Sequence, residues 1–216
     1  MRNTERMTPI ADAVSKFLPT DPDSAFGREQ ADLRTTVVTA DPQPGSEFPD
    51  PPLLSADGNP TTLSSVRDGR PAVVVLYRGA WCPFCNIALR VYRDELGPAL
   101  RQRLIQLIAV SPQHPDGSLT MQEKHDLEFP VLSDPGNQIA RSLGVLTHPS
   151  GDARALQMEH GLDLAAVNAD GTVELPMPTV AIVDATGVLR WIDVHADYAT
   201  RTEPDQILRA IEELGL

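Results

Sequence analysis

Tyr77-Arg78-Gly79-Ala80-Trp81-Cys82-Pro83-Phe84-Cys85 holds both cysteines found in the 216 residues of the chain, three positions apart. The run before it, Ala72-Val73-Val74-Val75-Leu76-Tyr77, is apolar and β-branched and reads as a buried strand. The run after it, Asn86 to Leu96, reads as a helix. Two thiols at a strand-to-helix junction sit where backbone N–H groups are unpaired and the helix end carries partial positive charge. Both features favour a thiolate, so a cysteine there titrates below its free pKa of about 8.5. The spacing therefore points to a redox dithiol.

Composition limits the alternatives. The formal charge is −12, from 18 Lys and Arg against 30 Asp and Glu. An acidic surface argues against nucleic acid as a partner, because phosphate binding needs basic side chains. No apolar run approaches the roughly 18 residues of a membrane span. The start, Met1 to Ile10, lacks the apolar core of a signal peptide, so the cytoplasm is the expected location. In that reducing compartment a cysteine pair is catalytic or metal-binding rather than a structural staple. Zinc calls for four closely spaced ligands. His114, His125, His148, His160 and His195 are scattered, so no metal is expected.

Working outward, residues 1–45 read as an N-terminal extension, partly irregular. Ile10 to Leu18 could form a short amphipathic helix. Thr20 to Arg28 and Asp41 to Ser46 read as linker or surface loop. From 46 to 216 the pattern is that of one domain. A hairpin is expected around Asp57-Gly58, then the 72–77 strand, and then a helix from Pro83 interrupted at Gly97-Pro98. A strand over Leu104–Val110, a helix over Ser118–Asp126, a strand over Phe129–Leu132 and a helix over Asn137–Leu143 follow. Residues 145–177 read as an insertion containing a helix that ends at Gly161. A hairpin over 178–194 and a closing helix over 204–214 complete the chain. Strands alternating with helices, then a hairpin and a last helix, predict an α/β sandwich with a mixed central sheet. That is the element order of a thioredoxin fold.

Several stretches resemble the peroxiredoxin-like proteins of the alkyl hydroperoxide reductase/thiol-specific antioxidant (AhpC/TSA) group. They are Phe48–Leu63, Phe129–Val145, Met177–Gly187 and Asp197–Pro204. The resemblance implies a peroxiredoxin-type, thioredoxin-like α/β/α sandwich and an oxidoreductase that uses the Cys82/Cys85 pair, with hydroperoxide reduction as one activity. It also implies an external thiol reductant, a protein or small-molecule thiol, disulfide or hydroperoxide substrate, and pairing as a two-fold homodimer. No dinucleotide fingerprint is present, so no cofactor is expected and electrons come from another thiol. The alternative is a redox-switched interaction module, in which the insertion or the N-terminal arm changes its partner surface.

The departures from the family are specific. Aligning Leu76-Tyr77 with the aromatic pair before the peroxiredoxin motif places its attacking cysteine at Cys85. Cys82 then stands at the threonine position and Arg78 at the proline position. Peroxidase chemistry in this register makes Cys85 the attacking sulfur and Cys82 the resolving one. Thioredoxin-type exchange makes Cys82 the exposed thiolate and Cys85 the resolving thiol. Arg78 and Arg201 are candidates to stabilise a thiolate or polarise a peroxide, each against the plainer reading of a surface cation. Trp81 should cover one side of the pair. Phe84 should be exposed between the cysteines. Met177-Pro178 resembles the thioredoxin loop whose cis-proline faces the dithiol. Asp184, Trp191 and Tyr198 read as structural, and His125 and His160 as solvated helix faces.

Overall fold

The computed structural model describes residues 9–216; residues 1–8, on which most of the reading of the chain start rests, lie outside the described part. In chain order the elements are α1 Pro9–Ser15, α2 Ala25–Arg34, β1 Leu53–Leu54, β2 Pro60–Thr61, α3 Leu63–Arg67, β3 Ala72–Leu76 and α4 Pro83–Val91. Next come α5 Gly97–Gln102, β4 Gln106–Ser111, α6 Pro115–Lys124, β5 Val131–Ser133, α7 Gln138–Ser142 and β6 Leu146–Thr147. The remainder is α8 Gly151–Glu159, α9 Leu164–Val167, β7 Leu175–Pro176, β8 Thr179–Val183, β9 Leu189–Val194 and α10 Pro204–Leu214.

Seven strands form one sheet in the order β2-β1-β5-β4-β3-β8-β9. β3, β4 and β5 run parallel, and the flanking pairs are antiparallel, so the sheet is mixed as expected. β3 is buried along its whole length, and its side chains alternate between two cores. Val73 and Val75 face the layer holding α4, α10 and α1, whereas Ala72, Val74 and Leu76 face the layer holding α3 and α7. Both cysteines belong to the first of these cores. The thioredoxin-like element order is the observed one.

The helix after the cysteines does not simply break at Gly97-Pro98. A π-helical segment, Tyr92–Leu96, joins α4 to α5, and the Gly97 N–H reaches back to the Tyr92 carbonyl. Pro98 has no N–H to donate, and the wider turn absorbs that loss. Tyr92 is fully buried there, and its hydroxyl donates to the Thr202 carbonyl at 2.6 Å. This bond ties the α4 side of the core to the segment that carries Arg201. Leu104, expected to open a strand, instead sits in a left-handed turn and is exposed; the strand begins at Gln106.

The N-terminal region is less irregular than expected. Ile10 and Val14 of α1 are buried in the cysteine-side core. The Glu203 carboxylate receives the N–H groups of Ile10 and Ala11 at 3.1 and 3.0 Å, capping α1 from α10's own start. Thr20 to Arg28 is not all linker: Ser24 caps α2, which begins at Ala25. α2 packs on α8 of the insertion. Glu29 accepts the Ser150 N–H at 2.6 Å, and Arg28 pairs with Asp152 at 2.8 Å. Ile10→Ala should therefore lower stability by about 2–5 kcal/mol in urea unfolding; an unchanged midpoint would mean that α1 is not part of the folded core.

Candidate active site

β3 delivers the chain to the site and α4 carries it away. The Tyr77 N–H still bonds to Val110 O at 3.0 Å, and the backbone then turns through Arg78 and Gly79. Gly79 has φ +151°, and a methyl group in place of its hydrogen would lie 2.4 Å from Trp81 Nε1, so the turn requires glycine. The Cys82 N–H closes the turn on Gly79 O at 3.1 Å, and Cys82 is the N-cap of α4. Pro83 occupies the first turn, where its missing N–H is harmless. The Cys85 and Asn86 N–H groups both bond to Cys82 O at 3.1 Å, which places the two sulfurs in one helical turn.

Two amides latch this loop. Gln113 Oε1 accepts the Ala80 N–H at 2.8 Å, and its Nε2 donates to the Tyr77 hydroxyl at 3.1 Å. Asn86 Nδ2 donates to Ala80 O at 3.0 Å. Sequence reasoning did not find either residue. Asn86 directly follows Cys85, so its proximity was available; Gln113 comes from the end of β4 and carries no local signal.

Both cysteines are reduced and buried. Cys85 has 0% exposure and Cys82 has 1%. Burial alone would push the Cys85 thiol up. The thiol of Cys82 donates to it, the Arg201 charge faces it and the Arg78 backbone N–H bonds to it, so Cys85 sits well below the ordinary thiol range. Arg201 Nη2 lies 3.2 Å from Cys85 Sγ. Cys82 moves the other way: burial raises it, and its donation to Cys85 and the neighbouring negative charge raise it further. The pair is thus asymmetric: Cys85 gives up its proton more readily than Cys82, which donates to it.

Arg201 is aimed by its own segment. Its other terminal nitrogen, Nη1, donates to Thr200 O at 2.6 Å and also to Tyr198 O. Neighbouring Thr202 donates to Asp193 at 2.8 Å, and Asp193 also bonds His195 at 3.1 Å. His195 meets Thr200 at 2.8 Å. These contacts fix both sides of Arg201 to β9. Beside Cys85 is a void of about 10 Å³ lined by Arg201, Thr202 and Pro178.

Arg78 is no surface cation. It is buried, with its guanidinium carbon 4.2 Å from the Tyr198 ring centre and 5.0 Å from that of Trp81. Tyr198, read as structural, is therefore part of the site wall. Phe84, expected to be exposed, is buried against Tyr198 with ring centres 6.1 Å apart, because the first turn of α4 points into the core. Cys82 is likewise not an exposed thiolate: the arm and the insertion roof it. Pro178 does line the space beside Cys85, but its peptide bond is trans. Met177 N–H donates to Val145 O and Pro178 O accepts from the His195 N–H, so the chain runs extended into β8. His125 is partly buried and its pKa is lowered, chiefly by that burial, contrary to a solvated face. His160 is exposed, as expected.

Residues 44–192 match the model of the AhpC/TSA family. The chain belongs to that family. It is 34% identical over 111 residues to a candidate peroxiredoxin of Mycobacterium tuberculosis, covering 51% of this chain and 67% of the relative. It is 28% identical over 122 residues to the chloroplastic peroxiredoxin Q of Sedum lineare, covering 56% of this chain and 64% of that protein. A thiol-disulfide oxidoreductase of Bacillus cereus matches at 26% over 107 residues, 49% of this chain and 60% of the relative. These alignments span about two thirds of the relatives' length. Among solved structures, the peroxidoxin BcpB of Mycobacterium tuberculosis superposes with a TM-score of 0.60 at 18% identity, covering 80% of this chain and 97% of that one. Peroxiredoxin 6 of Arenicola marina gives 0.62 at 18% identity, covering 81% and 74%. These likenesses confirm the thioredoxin-like peroxiredoxin fold. As an AhpC/TSA member the chain is a thiol-dependent oxidoreductase. Tyr198 and Arg201 lie beyond the matched span, and α1 and α2 precede it.

A thiol whose pKa is lowered loses its proton at a lower pH, so its reactivity persists below the free-cysteine midpoint of about 8.5. The rate of Cys85 modification by a small alkylating agent should rise with a midpoint below that value. Arg201→Met should move the midpoint back up. A wild-type midpoint at or above the free-cysteine value would contradict the assigned thiolate.

Proposed function

We propose that this AhpC/TSA member reduces hydroperoxides with Cys85 as the attacking sulfur and Cys82 as the resolving one. The observation that carries this reading is the Arg201 guanidinium 3.2 Å from Cys85 Sγ. With Cys82 at the threonine position and Arg78 at the proline position, Arg201 is the cation in direct contact with the attacking sulfur. The Cys85 thiolate attacks the terminal peroxide oxygen, an S–O bond forms as the O–O bond breaks, and the departing alkoxide or hydroxide takes a proton from solvent water to leave as alcohol or water. Arg201 faces the developing charge on the departing oxygen. Cys85 is then a sulfenic acid. The sulfur of Cys82 attacks it, water departs with the Cys82 proton, and the 82–85 disulfide closes within one helical turn.

The void beside Cys85 has room for about one water-sized group. That size favours hydrogen peroxide over a hydroperoxide with a bulky body at this sulfur. An external thiol must return two electrons in each cycle, which fits a reducing compartment such as the cytoplasm.

Stoichiometric peroxide should consume both wild-type thiols without a lasting gain of oxygen mass. Cys82→Ser should stop at a one-oxygen gain on Cys85, trapped by a sulfenic-acid reagent. Cys85→Ser should react no faster than a free small thiol. Rapid sulfenic acid formation on Cys82 in that last variant would reverse the roles and defeat the proposal.

A further inference from the structure

The two sulfurs open onto different spaces. Cys85 borders the small void beside Arg201, whereas Cys82 borders a separate cavity of about 270 Å³. Phe17, Pro19 and Phe26 of the N-terminal arm, Trp81 and Phe84 of the cysteine motif, and Leu162 of the insertion wall that cavity. It is mostly apolar, in the manner of small-molecule sites. Among the described residues that line it, Arg78 is the one buried cation.

Arg78 is 4% exposed, and its guanidinium lies against the ring faces of Trp81 and Tyr198, with its charge also felt by both cysteines. Its Nε has no hydrogen-bond partner among the described residues, and no carboxylate among them pairs with it. Three more buried polar atoms on the same wall, Trp81 Nε1, Gln157 Oε1 and Tyr198 Oη, are also unpartnered among the described residues. Tyr198 Oη approaches Gln30 and Glu29 without reaching hydrogen-bond geometry with either. In the reduced pair the Cys85 charge lies within reach of Arg78; closing the disulfide removes that charge, and an anion entering the cavity would then relieve the cost of a buried cation.

We propose that this cavity docks the reductant of the oxidised pair, a low-molecular-weight thiol with an apolar body and an anionic group that faces Arg78. This rests on the redox role given to the pair above. The incoming thiolate attacks Cys82 Sγ, the S–S bond breaks, and the electron pair leaves on Cys85, the sulfur that Arg201 stabilises. Attack at Cys82 thus expels the better leaving group. A second molecule of the same thiol attacks the mixed disulfide, releases the small-molecule disulfide and leaves Cys82 to take up a proton. A protein dithiol is a poor fit. Cys82 lies at the cavity floor under α2 and α8, which the Glu29–Ser150 and Arg28–Asp152 contacts hold together.

The test uses the full chain, oxidised to the 82–85 disulfide with diamide, so that failure to react with peroxide would count only against the function proposed above. Reduction is followed by stopped-flow fluorescence with 4-mercaptobenzoate, 4-mercaptobenzamide and 4-(aminomethyl)benzenethiol, each rate divided by the thiolate fraction. The anionic thiol should react on the order of tenfold faster than the neutral one, and the cationic thiol slower still. Arg78→Gln should bring the anionic-to-neutral ratio near one, and Arg78→Lys should retain most of it. The mixed disulfide trapped by acid quench should map to Cys82. Equal corrected rates for the three thiols in the wild type would overturn the proposal without recourse to any variant. So would an adduct on Cys85, or a thioredoxin-class dithiol protein that outpaces all three thiols.

Discussion

A guanidinium set 3.2 Å from a buried sulfur organises this site. A thiol at 0% exposure would ordinarily keep its proton, because burial penalises the charged form. Here a full positive charge, a backbone N–H and the partner thiol converge on Cys85 and reverse that preference. The rest of the architecture holds these groups in place. Tyr92 ties the helix beyond the cysteines to the Thr202 carbonyl, and Asp193, His195 and Thr202 anchor the strand of chain that carries Arg201. Gly79 and the Gln113 and Asn86 latches set the loop from which the first turn of α4 starts.

The same electrostatics makes the pair asymmetric. Cys85 is the sulfur that more readily carries negative charge, and Cys82 the one that keeps its proton longer. The surroundings follow that asymmetry: a water-sized void lies beside Cys85 and a larger, apolar-walled cavity beside Cys82. Helix α4 separates the two roles by presenting its N-cap to one space and its third residue to the other. The family-matched span supplies the sheet and the cysteine motif. The walls of the larger cavity come in good part from outside that span, from the N-terminal arm and from Tyr198.

Much of the framework was legible because it depends on local pattern. The β-branched run of β3, the Cys-x-x-Cys junction, Gly161 at a helix end and the 178–194 hairpin each carry their own signal within a few residues. The readings that failed needed knowledge of distant partners. α2 has a capping serine but little apolar periodicity, and its two buried residues are polar, Glu29 and Gln30. Their burial makes sense only once α8 and Tyr198 are in place. Phe84 read as exposed because residues between paired cysteines have no inward period of their own; the direction of the helix turn decided it. Pro178 followed the thioredoxin pattern in position but not in peptide geometry, because Val145 and His195 hold the chain extended there.

The sequence by itself determined the fold class, the redox pair and the two arginines worth watching. A strand-to-helix junction with two thiols is a local arrangement, and charge type is written in the residue. It did not determine which sulfur carries the charge or what each arginine faces. Arg201 is 116 positions from Cys85 along the chain, and Tyr198, over which Arg78 stacks, is equally remote from the motif. Thiolate energetics depends on distance in space and on the removal of water, and only the packing of β9, α10 and the N-terminal arm against the start of α4 sets those.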